Sequence, residues 1–460
     1  MDQLADDVLV EVMQYVAVQD LLALRLACKR FRDLALHRDV WRLRRLKYDD
    51  PMVCTVLRLA PCLLKAHFQV PSGKCHMLYT TRCAVADLTL MVYEEGTMHA
   101  AFAIRNQEGL GRLRRVEVNF REWSQPGLPV LLGTLASTAG LICLDITGLF
   151  SFTSPSVGPL PAVHNPVSTA SLKRFQCILQ LETEPFCTSI ISAHSSTLEV
   201  IILNVKWPVH SGRASSTLAP LLADVPNLRW LECPLLPGME ALAACETLRS
   251  VVLHVQAERI KPIPPIQEGL DFLRRATQLH RVHLYVCVPH LDHPGDVAVD
   301  LALALAASGK SRVRELTIRD EAKGEDDEFS LHPLLRALPS LPALRDLSVE
   351  GPPAQLLPGI SPATAPALRM LEFQPYSQPM GCVHAWLHSD QVRDVLSSNP
   401  RLHIGLLIPA DACENEDCQA CSQGCHQDMW GYEQVGFFSH DPSKKCSQHD
   451  SDYQWYRLPL

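Results

Sequence analysis

A six-residue pattern, apolar-x-x-apolar-x-apolar, recurs through this 460-residue chain and sharply limits how it can fold. It reads Val85-Ala86-Asp87-Leu88-Thr89-Leu90, then Leu113-Arg114-Arg115-Val116-Glu117-Val118 and Leu141-Ile142-Cys143-Leu144-Asp145-Ile146. A less clean copy starts at Leu172. Later copies begin at Leu198, Leu228, Leu248, Leu279, Val313, Leu344, Leu368 and Leu402, the last with Gly405 in its fourth place. Successive copies start 20 to 34 residues apart. Apolar residues at the fourth and sixth positions have the period of two of a short, half-buried strand. Helical stretches such as Gly269-Leu270-Asp271-Phe272-Leu273 lie between copies, and proline often ends the helix, as in Val225-Pro226-Asn227-Leu228. One strand and one helix cannot bury their own apolar face, so neighbours must stack into a solenoid. A doubly wound parallel sheet also alternates strand and helix. The phosphate-binding glycine loop common in such sheets is missing, since Gly109-Leu110-Gly111 lacks its third glycine.

Residues 4–46 are different. Leu4, Val8, Leu9, Val12 and Val16 form one apolar stripe of an amphipathic helix. Val18-Gln19-Asp20 interrupts it, and Asp20 is the expected N-cap of a second helix starting at Leu21. Leu21, Leu22, Leu24, Leu26, Cys28, Phe31, Leu34 and Val40-Trp41 add apolar surface on several sides. About forty residues are near the lower limit for independent folding, so part of this surface must cover something else.

The order Leu4-Ala5-Asp6-Asp7-Val8-Leu9, Asp20-Leu21-Leu22, Leu24-Arg25-Leu26-Ala27-Cys28-Lys29-Arg30-Phe31 and Val40-Trp41 resembles the F-box. The resemblance implies a three-helix module over residues 1–48 that docks a Skp-type adaptor and, through it, a cullin–RING ubiquitin ligase core. Its adaptor-binding positions fall on Leu4, Ala5, Leu9, Val12, Leu21, Leu22, Arg25, Cys28 and Trp41. Ala5 stands where the family commonly has proline, which would preset the start of the helix. The repeats over residues 60–408, about 12 of them, resemble leucine-rich repeats, although the Asn or Cys that usually follows each strand is mostly absent. The expected architecture is therefore α/β: a three-helix F-box, an irregular leucine-rich-repeat horseshoe, and a Cys-rich cap over residues 409–460.

In such an array the residues between buried positions point away from the core. These are Trp230 and Glu232, His254, then Arg281, His283 and Tyr285, then Glu315 and Arg319, then Asp346 and Glu350. Strands about 4.8 Å apart would make twelve copies a surface roughly 50 Å long, ample for a target protein. The acidic run 320–328 and the Pro/Ser-rich stretch 151–168 read as solvated connectors.

The tail carries Cys413, Cys418, Cys421, Cys425 and His426, with Cys446 and His449 downstream. Cys418-x2-Cys421 and Cys446-x2-His449 have the spacing of a structural zinc site, with Cys413, Cys425 and His426 as substitutes. The alternative is a metal-free cap with reduced thiols, covering the last repeat with aromatic side chains. No other cofactor is expected. No nucleotide loop or nucleophile motif appears, and His290-Leu291-Asp292-His293 reads as a surface turn, so a non-catalytic subunit is expected. A formal charge of −8 argues against a globally basic nucleic-acid binder. With no apolar run approaching about 20 residues, no membrane span is expected. The acidic start, together with 17 cysteines lying mostly singly in apolar stretches, points to the cytoplasm or nucleus. Two functions fit: a ubiquitin-ligase substrate receptor, or an adaptor-binding scaffold without ubiquitination. A third reading is a zinc-stabilised interaction module.

Overall fold

The computed structural model describes residues 4–71, 76–93, 95–121, 127–148, 169–180, 183–204, 217–256, 265–287, 294–320, 331–350, 353–374, 386, 388–407, 419–422, 434–441, 446 and 453–458. The stretches 151–168, 290–293 and 321–328 lie outside them. The chain divides into two compact units, residues 1–206 and 207–460.

The first unit opens with four helices, α1 (Asp6–Tyr15), α2 (Val18–Ala27), α3 (Lys29–Ala35) and α4 (Arg38–Trp41). The second begins earlier than expected: Ala17 occupies the N-cap and Asp20 lies in the first turn. There the carboxylate still complements the positive end of the helix dipole, so the residue type fits although its position differs. Cys28 takes the cap of α3, its Sγ accepting from the Phe31 N–H at 3.4 Å.

Strand β1 (Arg45–Lys47), α5 (Val53–Leu59), β2 (Cys62–Val70), β3 (Ala84–Val92), α6 (Gly96–Gly109), β4 (Arg115–Phe120), α7 (Leu128–Ser137), β5 (Cys143–Gly148), β6 (Arg174–Ile178), α8 (Glu184–His194) and β7 (Val200–Asn204) complete the first unit. Strands β1 to β7 pair in chain order, all parallel. The second unit continues the alternation with α9 (Leu218–Ala223), β8 (Trp230–Pro234), β9 (Ser250–Gln256), α10 (Ile266–Arg275), β10 (Arg281–Cys287), α11 (Pro294–Ala307) and β11 (Glu315–Asp320). After these come α12 (His332–Ala337), β12 (Asp346–Glu350), β13 (Met370–Gln374), α13 (Asp390–Ser398), β14 (His403–Leu407), α14 (Gln419–Ser422), β15 (Gln434–Phe438) and β16 (Gln454–Arg457). Strands β8 to β14 are parallel neighbours in order, β15 runs antiparallel to β14, and β16 is parallel to β15. The sheets are open, with their strands laid down in sequence order.

The twelve copies of the pattern fall on β3 to β14. Register makes the buried positions continuous. Leu231, Val251, Val282, Leu316, Leu347, Leu371 and Ile404 form one row across seven strands, and Cys233, Leu253, Leu284, Ile318, Val349, Phe373 and Leu406 form the next. Every one of these side chains is buried. Burying a side chain of this size stabilises by roughly 1.5–3 kcal/mol. The twelfth copy slips by one residue. Ile404 and Leu406 fill the buried rows, and Gly405 lies on the opposite face beside Glu372. A shift of one residue exchanges the faces of a strand, and in Leu402-His403-Ile404-Gly405-Leu406 the large apolar residues alternate in the frame that the structure uses.

Polar side chains tie helices to strand starts. Buried Gln107 accepts from the Val85 N–H at 2.8 Å and donates to the Cys83 carbonyl at 3.1 Å. His194 Nδ1 accepts from the Ser171 N–H at 3.2 Å. Its burial lowers its pKa from the usual histidine value, in keeping with a neutral acceptor.

Candidate functional site

Helix α1 turns two different faces outward and inward. Leu9, Val10 and Met13 are buried, whereas Val8, Val12 and Tyr15, at i, i+4 and i+7, are exposed, and Leu4 just ahead of the helix is exposed too. Tyr15 is 85% exposed, and Leu26 on α2 is 80% exposed. Single exposed apolar residues are ordinary, but an aligned row of them on one helix marks an interaction surface.

Arg44 holds the other end of α1 in place. Its Nη2 donates to the carbonyls of Met13 and Val16, both at 2.8 Å, and its Nε donates to that of Val40 at 2.9 Å. Its guanidinium also lies 5.4 Å from the Trp41 ring centroid. The contacts with Met13 and Val16 bring a side-chain donor to the C-terminal end of α1, where intrahelical N–H donors run out. At the start of α1, Arg30 pairs with Asp6 at 2.7 Å and donates to the Leu4 carbonyl. A rigid frame therefore presents the apolar row.

Residues 1–47 match the F-box-like family. An F-box-like domain implies binding of a Skp-type adaptor. No curated protein matches the chain.

Within the F-box-like domain, the nine expected adaptor positions separate by burial. Leu4, Ala5, Val12 and Cys28 are exposed, and Leu22 and Arg25 are half-buried. Leu9, Leu21 and Trp41 are buried, the last two fully, so the expectation that they meet a partner is corrected: they support the surface from beneath. Trp41 Nε1 donates to the Ala35 carbonyl at 2.6 Å, which satisfies the polar atom of a ring taken out of water. Val8, Tyr15 and Leu26 belong to the exposed surface too, although none is among the nine expected adaptor positions. For Val8 and Tyr15 the signal was helical phase: positions 8 and 15 share a face with 4 and 12, opposite 9, 10 and 13.

On the second unit's sheet, the ten expected target-facing residues all lie on the face opposite the buried rows. Trp230, Arg281, Glu315 and Asp346 share one lateral row, Glu232 and His283 the next, and His254, Tyr285, Arg319 and Glu350 a third. Arg281 is exposed and the other nine are half-buried. They form a connected cluster. His254 Nε2 lies 3.1 Å from Glu232 and stacks on Tyr285, with centroids 5.2 Å apart. Arg319 also lies over the Tyr285 ring, at 5.5 Å. Glu315 pairs with Arg281 at 3.1 Å and lies 3.6 Å from His283 Nε2. Trp230 Nε1 and Arg319 Nε are covered yet have no hydrogen-bond partner among the described residues.

Burial lowers the pKa of His283 from its usual 6.5, and Arg319 and Arg281 add to this, while Glu315 and Glu232 oppose it. Burial and Glu315 raise the pKa of Asp346, while Arg345 and Arg369 oppose that shift. A histidine whose folded pKa lies below its unfolded value binds fewer protons when folded. Stability then falls as pH drops through 6.5 and below. Urea unfolding of the full chain at pH 7.5 and 5.5 should show this loss, and His283→Gln should reduce it.

A further row escaped the sequence reading. The residue before each strand is Arg229, Arg249, His280, Arg314, Arg345 and Arg369 on β8 to β13, and backbone hydrogen bonds link each to the next. The five arginines are exposed. None pairs with a carboxylate within 4.0 Å among the described residues, and four arginines, Arg314 and Arg249 foremost, join burial in lowering the pKa of His280. The signal was present as the second position of the repeat, which is basic in copy after copy.

Of the expected zinc ligands, Cys418 and His449 lie outside the described residues, and the side chain of Cys421 is not among those described. Cys413, Cys425 and His426 also lie outside them. Cys446 is described, and its neighbours are two histidines that sequence spacing did not select, His403 and His440. Among the described residues no helix is long and apolar enough to cross a membrane.

Proposed function

We propose that this protein is the target-recognition subunit of a Skp–cullin–F-box ubiquitin ligase. The observation that carries this reading is the F-box-like domain with its exposed row of Leu4, Val8, Val12 and Tyr15. The sheet of the second unit, read as an irregular leucine-rich-repeat surface, holds the target. The subunit performs no chemistry of its own. Tethering raises the effective concentration of target lysines near a charged ubiquitin-conjugating enzyme. The work takes place where the ligase core resides, in the cytoplasm or nucleus.

The row Arg229, Arg249, Arg314, Arg345 and Arg369 supports an acidic protein segment as the target element. Arginines one strand spacing apart, about 4.8 Å, repel one another unless an anionic partner offsets them. Arginine also presents a fork of donors that matches carboxylates.

Full-length protein should co-purify with the adaptor, and its bound targets should rise in abundance when the cullin is inhibited. Arg314→Glu with Arg345→Glu should keep the adaptor and lose those targets. Bound proteins whose abundance never changes would favour a scaffold instead, and failure to bind the adaptor would end the ligase reading.

A further inference from the structure

We propose that His403, His440 and Cys446 form a metal site with the ligand preference of zinc, fastening the last parallel strand to the segment that follows β15. His403 comes from β14, His440 lies two residues beyond the end of β15, and Cys446 follows six residues later. Their ligand atoms all lie within 4.8 Å of one another.

Two of the three separations match those around one tetrahedral ion, and the third lies within 4.8 Å. Metal–nitrogen bonds of about 2.0–2.1 Å and a metal–sulfur bond of about 2.3 Å place two nitrogens roughly 3.3 Å apart and a nitrogen and a sulfur roughly 3.5 Å apart. In the structure the two Nε2 atoms are 3.1 Å apart, and Cys446 Sγ is 3.5 Å from His403 Nε2.

The outer hydrogen bonds point the same way. His403 Nδ1 lies 3.3 Å from the Arg369 carbonyl, and His440 Nδ1 lies 3.2 Å from the Asp441 carbonyl. A carbonyl can only accept, so in each ring Nδ1 carries the proton, and in the neutral ring Nε2 presents a lone pair. Two lone pairs facing each other at 3.1 Å repel, and a shared cation removes that repulsion. Anchoring the distal nitrogen to a backbone carbonyl is how proteins orient a metal-binding imidazole.

The shell is apolar. His403 is buried, stacks on Phe438 with centroids 6.0 Å apart, and meets the edge of Trp455 at 5.2 Å. A mixed nitrogen and thiolate set inside such a shell suits zinc better than magnesium or calcium, which take oxygen ligands. The site lies where the sheet changes from parallel to antiparallel pairing, at the junction of β14 and β15. The ion supplies cross-links there that a short element with little core of its own would otherwise lack.

The test is metal analysis of the full-length chain, with Cys446→Ser and His440→Asn as variants because both positions are only half-buried. Wild type should carry zinc after gel filtration. Each variant should lose about one zinc per chain relative to wild type, with unchanged far-ultraviolet circular dichroism. Cobalt substituted into wild type should show a thiolate charge-transfer band that Cys446→Ser removes. Zinc-free wild type would overturn the proposal. Wild-type zinc content in both variants would overturn it equally, since any bound metal would then belong to other tail cysteines.

Discussion

Replacing Val8 and Val12 together by aspartate should reduce binding of the Skp-type adaptor at least about 100-fold while leaving the fold intact. Each valine covered in an interface contributes roughly 1.5 kcal/mol or more, and every 1.4 kcal/mol is a factor of ten. A carboxylate forced against an apolar partner costs more still. Both side chains are exposed on α1, so the substitution should move stability by no more than about 0.5 kcal/mol each. Leu21→Asp is the contrasting change. Leu21 is fully buried, and an unpaired charge there should destabilise the F-box-like domain by about 4 kcal/mol or more. Its loss of adaptor binding would come from unfolding. Adaptor titration beside urea unfolding separates the two cases: the double valine variant should lose affinity with its unfolding midpoint unchanged, and Leu21→Asp should lose both. Wild-type affinity in the valine variant would remove the α1 row as the docking face.

The contrast between Val8 and Leu21 also shows what a sequence can convey. Periodicity placed both on apolar faces, and the resemblance to the F-box supplied a set of contact positions. Neither distinguished an exposed side chain from one that holds the helix carrying it, because that depends on how α1 to α4 pack. The strands were easier. A period of two survives any arrangement of the intervening loops, so eleven of the twelve copies carry the buried pair in the expected frame. The grouping of His403, His440 and Cys446 was the least legible. Cys446 stood out in a cysteine-rich tail, but His403 lies 43 residues upstream within a strand, and only the antiparallel return of β15 brings His440 against it. Spacing rules find ligands that share a loop; they miss those joined by sheet topology. The arginine row was visible all along as a repeat position, yet its meaning depended on knowing that consecutive copies are lateral neighbours.

The twelfth copy offers the sharpest test of that lesson. Read as a repeat, Gly405 occupies a position that other copies fill with a large apolar residue, and Gly405→Ile should restore the pattern and stabilise the protein. The register predicts the opposite. A Cβ at Gly405 would lie 2.8 Å from both Met370 Cε and Tyr453 Cε1. Methionine can give way, but Tyr453 is held: its hydroxyl donates to Glu372 Oε2 at 2.7 Å. The other oxygen of Glu372 accepts from Ser348 Oγ at 2.8 Å and Gln374 Nε2 at 2.9 Å. Displacing the ring forfeits a hydrogen bond to a charged acceptor, about 1.5–3 kcal/mol, and adds an overpacking cost of about 1–3 kcal/mol. The better strand propensity of isoleucine returns at most about 1 kcal/mol. Gly405→Ile should therefore destabilise the second unit by roughly 2–4 kcal/mol in urea unfolding. In a Tyr453→Ala background the space is already open and most of that penalty should vanish. A stabilised Gly405→Ile, or a penalty unchanged by removing the ring, would place Gly405 back in the buried row and restore the frame that sequence periodicity implies.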